Sequence, residues 1–594
     1  MTSYKRKDTL IVGKFYHYLM PTVLSTIAIS LNEFVDSIIV SRLLGSNAMS
    51  MVNMGFPVML TFAVLYTLLG VGGSVVYAEY EGKRESGKAA RCFTLIFLLS
   101  IFVSVVVLIL GLAFLKQVAP ALCNVESLLP EFVPYLKYLF ISCVLIVPLQ
   151  VLITFFPAFG HPSIGTTINI TANGVNLLLD YVFIRYFSTG LKGAAMATLT
   201  GYMCGALLVA VLMIFKTVQL PFAKIVVREL VNIPDMLSRG AAPALNQFGY
   251  CIKIYFCNTI AGKYAGIDGI TVFALCMQVV SIVSVMICGI VAAMTPIAAA
   301  LRGGRDFKGL RRLMKTVFRT QFVANLVIVI ILEAFPQLIL ALYDVDKSLT
   351  VMAITGLRIF SIMFIFRGFV FVFMYYFQII SRKVYAILLS VIDGFAGLIP
   401  LILIFTSFMG INGLWTAFPV LSFLMLVGIL ITNLVIAKHS KGRYSGLLLA
   451  ENEDPNVAAY DVTIPLKAAD IGINTENLQE FCLGNNLGKY ISAVVAMASE
   501  EIGMFILEEN GAAEEKGMST FGKSKVSEHD MLDLLVKVFP EQVVMDVRSI
   551  GKPFDPLSEP KEEFSNIEVL KKIASSIDFG YVVGMNSTRI KINY

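Results

Sequence analysis

Twelve stretches of this 594-residue chain are apolar over more than twenty residues each, and no other feature constrains its fold as strongly. They lie at 15–44, 52–79, 92–115, 132–157, 164–187, 192–216, 241–262, 269–301, 313–342, 351–380, 384–408 and 411–438. An α-helix of about twenty residues crosses a hydrocarbon layer of roughly 30 Å, so every one of them is long enough. A content of 57% hydrophobic and 15% charged residues excludes an ordinary soluble protein and predicts a polytopic α-helical membrane protein. The apolar bias ends near residue 438, and 440–594 reads as a soluble unit with normal charge. Nine cysteines are scattered, mostly within the apolar runs, with neither paired nor metal-ligand spacing; reduced thiols acting as small apolar residues are expected. The first run is too long for a cleavable leader and lacks a small-residue cleavage site.

Basic residues mark alternate connections. Lys5–Lys7, Lys83–Arg91, Lys224–Arg239, Arg302–Lys315, Arg382–Lys383 and Lys438–Arg443 fall on one side, and the opposite loops, such as 344–347 and 407–410, are poorer in them. The positive-inside rule then places both termini in the cytoplasm of a cell inner (plasma) membrane protein. These charges suit a lipid surface, and nucleic acid binding is not indicated. The stretch Gly82–Ala89 nearly spells a phosphate-binding loop but lacks the final Ser/Thr and follows a membrane helix, so it reads as one of these basic loops.

The chain repeats itself at an offset near 220 residues. Pro21 corresponds to Pro243, Gly45 to Gly266, Glu81–Arg84 to Arg302–Arg305, and Gly190–Ala194 to Gly410–Leu414. Six runs plus six, an even number per half, predict a parallel duplication about an axis along the membrane normal. The expected domains are an N-lobe at 1–220, a C-lobe at 221–440, a linker at 441–456 and a soluble domain at 457–594. Two lobes rocking about a central cavity point to a transporter; a channel would need a filter-like loop, and none is evident.

Polar residues inside the apolar runs are the candidate sites, because a carboxylate at bilayer depth needs a partner, a proton or a cation. The first run holds Pro21, Asn32, Glu33 and Asp36; the fifth holds Asn176 and Asp180 one turn apart; the sixth holds Ala194 and Thr198, also one turn apart. In the C-half, Lys253, Glu333, Arg358, Arg367 and Asp393 are intramembrane charges, with Arg367 and Asp393 a plausible internal pair. A packing salt bridge and a substrate contact are equally compatible with that pair.

Over residues 10–438 the sequence resembles the multidrug and toxic compound extrusion (MATE) transporters. Pro21, Asn32, VDSIIVSRLLG at 35–45, Asn176–Asp180 and GLKGAAMAT at 190–198 carry the resemblance in order and spacing. It implies export of small amphipathic, often cationic compounds against H⁺ or Na⁺ influx, with Pro21 as a helix hinge. It also implies a cation-coupling site of Asp36, Asn176, Asp180 and Thr198 with the backbone of Ala194. Two carboxylates, an amide and a hydroxyl suit Na⁺, and two neighbouring carboxylates in low dielectric equally suit a shared proton. Interhelical polar packing is the plain alternative. The repeat places the counterpart of Asp36 near Asn258 and that of Asp180 near Pro400, so the acidic site is one-sided. Glu33 either joins it or faces the cavity with Asn32. The C-half cations Lys253 and Arg367 argue against a purely cationic substrate range.

The tail predicts a strand near 460–464, helices near 475–483 and 491–509, a hairpin of 532–538 with 543–548, a helix near 566–575 and strands near 581–583 and 589–592. That order suggests a two-layer α/β sandwich. ASEEIGMFILEEN at 498–510, VRSIGKPFDP at 547–556 and YVVGMNSTRIKI at 581–592 resemble the histidine-kinase-type ATPases in their anti-sigma-factor-kinase-like form. Glu500 and Glu501 persist, but Phe505 stands where relatives carry the Mg²⁺-binding Asn, and Ser549 or Ile550 where they carry the adenine-reading Asp; Gly551 remains. An aromatic ring cannot ligate a hard cation. The domain is therefore expected to be catalytically inactive, to have lost tight MgATP binding and to serve a regulatory or protein-binding role. The chain is expected to act as a monomer, without a cofactor. Export of amphipathic compounds, flipping of lipid-linked precursors and ATP-dependent membrane sensing are the functions weighed, in that order.

Overall fold

The computed structural model describes residues 9–594 except 124–125, 188, 226, 338–339, 341–348, 441, 453–456, 516–530, 552, 554 and 556–565. The first half runs through α1 (Thr9–Leu44), α2 (Ser46–Gly82), α3 (Ser86–Ala113), the short α4 (Leu115–Leu122), α5 (Leu129–Phe155), α6 (Pro162–Arg185) and α7 (Leu191–Ile214). The second runs through α8 (Ile233–Gly303), α9 (Phe307–Ala334), α10 (Thr350–Ser361), α11 (Met363–Ile379), α12 (Lys383–Val391), α13 (Leu398–Met409) and α14 (Ile411–His439).

Ten helices among the described residues are long and apolar enough to cross a membrane. They do not map one-to-one onto the twelve expected runs. Helix α6 carries too many polar residues to be counted, and α1 is not counted because side chains at 33–34, 37–38 and 41 within it lie outside the described residues. The runs at 241–262 and 269–301 form one element, α8, divided at Gly266, where φ is 60° and ψ −145°. The helix Lys489–Glu508 is apolar enough to be counted although it belongs to the tail. The loop at 344–347, expected to be poor in basic residues, lies outside the described residues.

The internal repeat is written into the backbone. Left-handed residues end or begin helices at Gly45, Arg84, Gly160 and Gly190, and again at Gly266, Arg305, Ser381 and Gly410. The pairs are separated by 221, 221, 221 and 220 residues. A positive φ is uncommon for Arg and Ser, so two halves that turn at the same four places share one chain path.

The halves meet where α2 packs on α8. A Cβ on Gly82 would overlap the Ala300 carbonyl, and one on Gly303 would overlap the Glu79 carbonyl. These are the same contact made twice, since 82 and 303, like 79 and 300, are 221 apart. Gly72 and Gly240 make a similar approach further in. Ion pairs close this end as well. Glu79 Oε2 lies 2.5 Å from Arg239 Nη1 and 2.9 Å from Arg302 Nη1, while its Oε1 takes Lys83 at 2.7 Å. Arg91 reaches across to Glu229 at 3.1 Å, while Lys383 holds Asp235 at 2.5 Å within the C-lobe. The lobes are thus in backbone contact at the end that carries the basic loops.

The segment expected to be a linker is partly structured: β1 (Tyr444–Ser445) pairs with β2 (Ala450–Glu451), and Leu449 is buried against the helices. Beyond it come β3 (Ala458–Pro465), α15 (Ala468–Gly484), α16 (Lys489–Glu515), β4 (Met531–Val538), β5 (Gln542–Ser549), α17 (Asn566–Ile573), β6 (Ser576–Val582) and β7 (Met585–Asn593). The strands form one antiparallel sheet in the order β3-β4-β5-β7-β6. Leu478, Val495 and Ile502 of α15 and α16 share a core with Val462, Leu534, Val547 and Ile590 of the strands. The last two strands are longer than expected and join in a two-residue turn.

Burial alone would raise the Asp546 carboxyl on β5, but Arg589, held at 2.7 Å, and the neighbouring Arg548 and Arg84 keep it below the usual carboxylate range. A group with a depressed folded-state pKa supports the fold above its unfolded value of about 4 and loses that support as pH falls through the lower folded value. The β5–β7 pairing should therefore hold through neutral and mildly acidic solution and weaken only below about pH 4. Hydrogen exchange of β7 amides across pH, corrected for intrinsic rates, checks this; loss of protection already near pH 6 would contradict it.

Candidate transport sites

Helix α6 presents Thr166, Asn169, Asn173, Asn176 and Asp180 at alternating spacings of three and four, which keeps them on one face. That face packs on α1. Thr166 Oγ1 donates to the Pro21 carbonyl at 2.7 Å, and Asn169 Nδ2 donates to Ser25 Oγ at 2.8 Å. Asn173 Nδ2 donates back to Asn169 Oδ1 at 2.8 Å. Asn176 Nδ2 then donates to Asp180 Oδ2 at 3.1 Å and to Thr198 Oγ1 at 3.3 Å, and Thr198 Oγ1 donates to the Ala194 carbonyl at 3.1 Å. Gly201 sets the last step: a Cβ there would come within 2.5 Å of the Ala172 carbonyl and 2.9 Å of Asn176 Cβ.

The carboxyl of Asp36, on α1, is in hydrogen-bond contact with that of Asp180. Asp180 and Asn176 are buried. Asp36 Oδ1, Asp180 Oδ1 and Asn32 Oδ1 are buried oxygens without a hydrogen-bond partner among the described residues. Tyr135 of α5 stands close enough to interact electrostatically with both acids. The structure thus brings together Asp36, Asn176, Asp180, Thr198 and the Ala194 backbone. Pro21 lies inside α1, which continues through it. Glu33 is in α1, and its side chain lies outside the described residues.

Four residues meet in the C-lobe. Asp393 sits on a π-helical turn (Ile392–Ala396) between α12 and α13, where the extra residue turns its carboxyl toward α8. Gly249 and Gly394 let these elements touch, for a Cβ on Gly249 would come within 2.8 Å of Gly394 Cα. Asp393 accepts from Asn246 Nδ2 at 3.0 Å and from Arg367 Nη1 and Nη2 at 3.2 and 3.3 Å, with Lys253 Nζ at 3.6 Å. Arg367 also covers the Phe371 ring at 5.2 Å. Asn246 and Lys253 lie 221 residues beyond Ser25 and Asn32. The two clusters therefore occupy equivalent places in the two lobes, one with two carboxyls and the other with two cations on one carboxylate. Glu333 and Arg358 form a separate, more exposed pair at 3.8 Å.

Sequence reasoning missed Ser25, Asn169, Asn173 and Tyr135, and the closure through Glu79. The α6 ladder had a signal, five polar residues at helical spacing in one apolar run; Glu79 had none, since it ends a run beside a basic loop. In the tail, Glu500 is exposed and Glu501 half-buried on α16, Phe505 is half-buried one turn on, Ser549 is buried at the end of β5, and Gly551 lies in the bend after it. Phe554 lies outside the described residues.

Two segments of the chain, residues 21–182 and 244–404, match one family model, MatE, and together make up more than half of it. The chain belongs to the MatE family. The match falls twice, once on each half, as the paired left-handed turns require. This MatE protein is 21% identical over 424 residues to the multidrug export protein MepA of Staphylococcus aureus (strain MRSA252), covering 70% of the present chain and 93% of MepA. It is 21% identical over 425 residues to MepA of Staphylococcus haemolyticus (strain JCSC1435), covering 69% and 90%. Among solved structures, its fold is similar to an outward-facing multidrug resistance MATE family transporter of the MOP superfamily (TM-score 0.68, 22% identity, 74% of this chain and 98% of that one). It is also similar to a MOP superfamily transporter from Pyrococcus furiosus described as having a binding pocket of reverse polarity (TM-score 0.67, 22% identity, 73% and 99%). The MatE protein is a transporter of the multidrug-efflux family rather than an enzyme. The MatE match ends at residue 404, before the tail.

Proposed function

We propose that this chain is a secondary active exporter of amphipathic organic compounds, driven by inward movement of H⁺ or Na⁺ through the N-lobe cluster. The contact between the Asp36 and Asp180 carboxyls carries this reading. Two carboxyls that face each other hold one proton between them; once both are ionised, they and the Asn32 oxygen form a site that attracts a cation. Asn176 and Thr198 fix Asp180, so its rotamer is set before the ion arrives. Twelve spans, with α8 counted as two and α1 and α6 included, rock as two six-helix lobes about the α2–α8 seam. The basic loops, both termini and the tail lie in the cytoplasm of a plasma membrane protein. The driving force suffices, at about 2.3 kcal/mol per charge for each 100 mV. The tail, an α/β sandwich of ATPase-like fold without hydrolytic activity, regulates the cycle. Imposing a pH or a Na⁺ gradient separately on vesicles and following dye efflux tests the reading. Export that runs only when ATP is supplied, with neither gradient, would overturn it.

The C-lobe cluster favours substrates with an anionic group. Its two cations exceed its one carboxylate, and burial makes a second anion their natural partner. The same feature supports a second reading, flipping of lipid-linked anionic precursors. Arg367→Gln and Lys253→Met should each reduce export of an anionic dye about tenfold or more and spare a cationic one, since a hydrogen bond to a charged group is worth roughly 1.5–3 kcal/mol. Arg367→Lys should rescue only in part, because the ammonium lacks the fork that spans both Asp393 oxygens. Equal losses for both dyes would assign the cluster to packing instead.

A further inference from the structure

The turn joining β6 to β7 is apolar where a hairpin end is ordinarily polar. Val583 and Gly584 have φ of 52° and 71°, the consecutive left-handed pair of a type I′ turn. Such turns favour Asn-Gly, and a β-branched residue at the first position is strained. Strain of this kind persists only where the surroundings hold it. Here they do: Val583 is 1% exposed, Val582 6% and Met585 5%.

The membrane domain does the burying. Val582 and Val583 belong to its core cluster, and with Met585 they border a slot whose other walls are Gly82 and Arg84 of the N-lobe and Ile297, Ala300 and Leu301 of the C-lobe. The slot lies over the glycine seam. Polar contacts fasten the hairpin and its sheet to both lobes. On the N-lobe side, Lys14 Nζ donates to the Gly584 carbonyl at 2.7 Å, Arg84 donates to Ser587 Oγ, and His161 lies against the Tyr581 ring at 6.3 Å. Gly160 and Gly584 touch so closely that a Cβ on the former would come within 2.5 Å of the latter's nitrogen. On the C-lobe side, Arg548 pairs with Asp306 at 2.6 Å, Arg589 donates to the Gly304 carbonyl at 3.3 Å, and Lys537 donates to the Arg305 carbonyl at 2.9 Å. Arg84 and Arg305 are repeat-related residues, so the sheet sits astride the axis that relates the lobes.

We propose that the β6–β7 hairpin is a clamp that pins the two lobes together at their basic end, so that the transporter opens to that side only when the tail lifts away. The proposal rests on the alternating-access reading above. It assigns the tail an interaction surface, the repeat-related basic loops and the seam between them, and makes release of the turn the regulated step. Val583→Asn and Val583→Asp separate clamp from fold: both residues suit the left-handed turn better than valine, so the hairpin itself should be kept, while each brings a polar group into the apolar slot.

The full-length chain in lipid nanodiscs, with spin labels on unnatural side chains at the exposed positions of Lys88 and Val384, reports the separation of the lobes by pulsed electron resonance. We expect the short distance to dominate in the parent chain with the longer one a minor fraction, and that fraction to rise about tenfold in both variants. The longer distance should be more populated for Asp than for Asn. Distance distributions identical to the parent in both variants would overturn the clamp. This readout needs no transport, so a chain that opens on cue yet moves no substrate would count against the coupling assignment and leave the clamp supported.

Discussion

Replacing Asp180 with asparagine should reduce gradient-driven export about a hundredfold or more, a change in driving step of roughly 2.7 kcal/mol, while the chain remains folded. The substitution keeps shape and the hydrogen bond from Asn176, which donates to Asp180 Oδ2 at 3.1 Å. It removes the capacity to take up and release a proton, or to contribute charge to a bound cation. Asp36→Asn should act alike, because the two carboxyls form one unit; the double variant should be little worse than either single one. Efflux after a pH jump and after a Na⁺ jump, with substrate binding measured alongside, reads the effect. Parent-like export by both single variants would remove the N-lobe cluster from the coupling step. Thr198→Ala should cost much less, since Thr198 Oγ1 satisfies itself on the Ala194 carbonyl and only one hydrogen bond to Asn176 is lost.

The second large effect should come from Glu79→Gln. One buried carboxylate there holds Arg239, Arg302 and Lys83, two of them from the opposite lobe. Removing its charge leaves two guanidinium groups facing each other, and breaking a buried pair of this kind costs about 3–5 kcal/mol. The lower end of that range applies, because Arg239 keeps Asp235 at 3.1 Å and Arg302 keeps the Ile379 carbonyl at 2.5 Å. The chain should then melt at a lower temperature, and once the hairpin is released by Val583→Asp the basic end should open in a larger fraction of molecules than with Val583→Asp alone, visible by the same lobe-to-lobe distances. Glu79→Gln with an unchanged melting temperature, and with no added opening beside Val583→Asp, would mean that the seam closes without its ions. Lys383→Met is the useful contrast. Its partner Asp235 is 42% exposed, so solvent screens that pair and the effect should be within about 1 kcal/mol.

Much of this was legible in the residues before any fold was in view. Apolar runs reveal membrane helices because hydrocarbon leaves them no alternative, and Asp36, Asn176, Asp180 and Thr198 stood out because polar groups are costly there. The repeat was visible through Gly45 with Gly266 and Gly190 with Gly410, residues whose backbone conformation restricts their identity. What escaped depended on contacts far apart in sequence. Ser25 is an ordinary small residue until Asn169 is brought against it from α6. Glu79 reads as one more loop charge until α8 delivers Arg239 and Arg302. The C-lobe cluster could be guessed as Arg367 with Asp393, yet Asn246 and Lys253 join only because a π-turn swings Asp393 toward α8. The tail's strands followed from alternation and turn residues, whereas Val582-Val583-Gly584 gave no hint of its docking; apolar residues at a strand end look like any strand.

The glycine seam has a mechanical consequence. Where two helices meet through interlocking side chains, sliding them apart means lifting teeth out of sockets, one rotamer at a time. Gly82 against Ala300 and Gly303 against Glu79 have no teeth; the backbones rest on each other like the two faces of a plain bearing. Such a joint offers close fit with little friction, so it can neither hold the lobes shut by itself nor set the pace of their parting. Both tasks fall to whatever grips beside it, the ions around Glu79 and the tail, and these are the parts that salt, charge and a binding partner can reach.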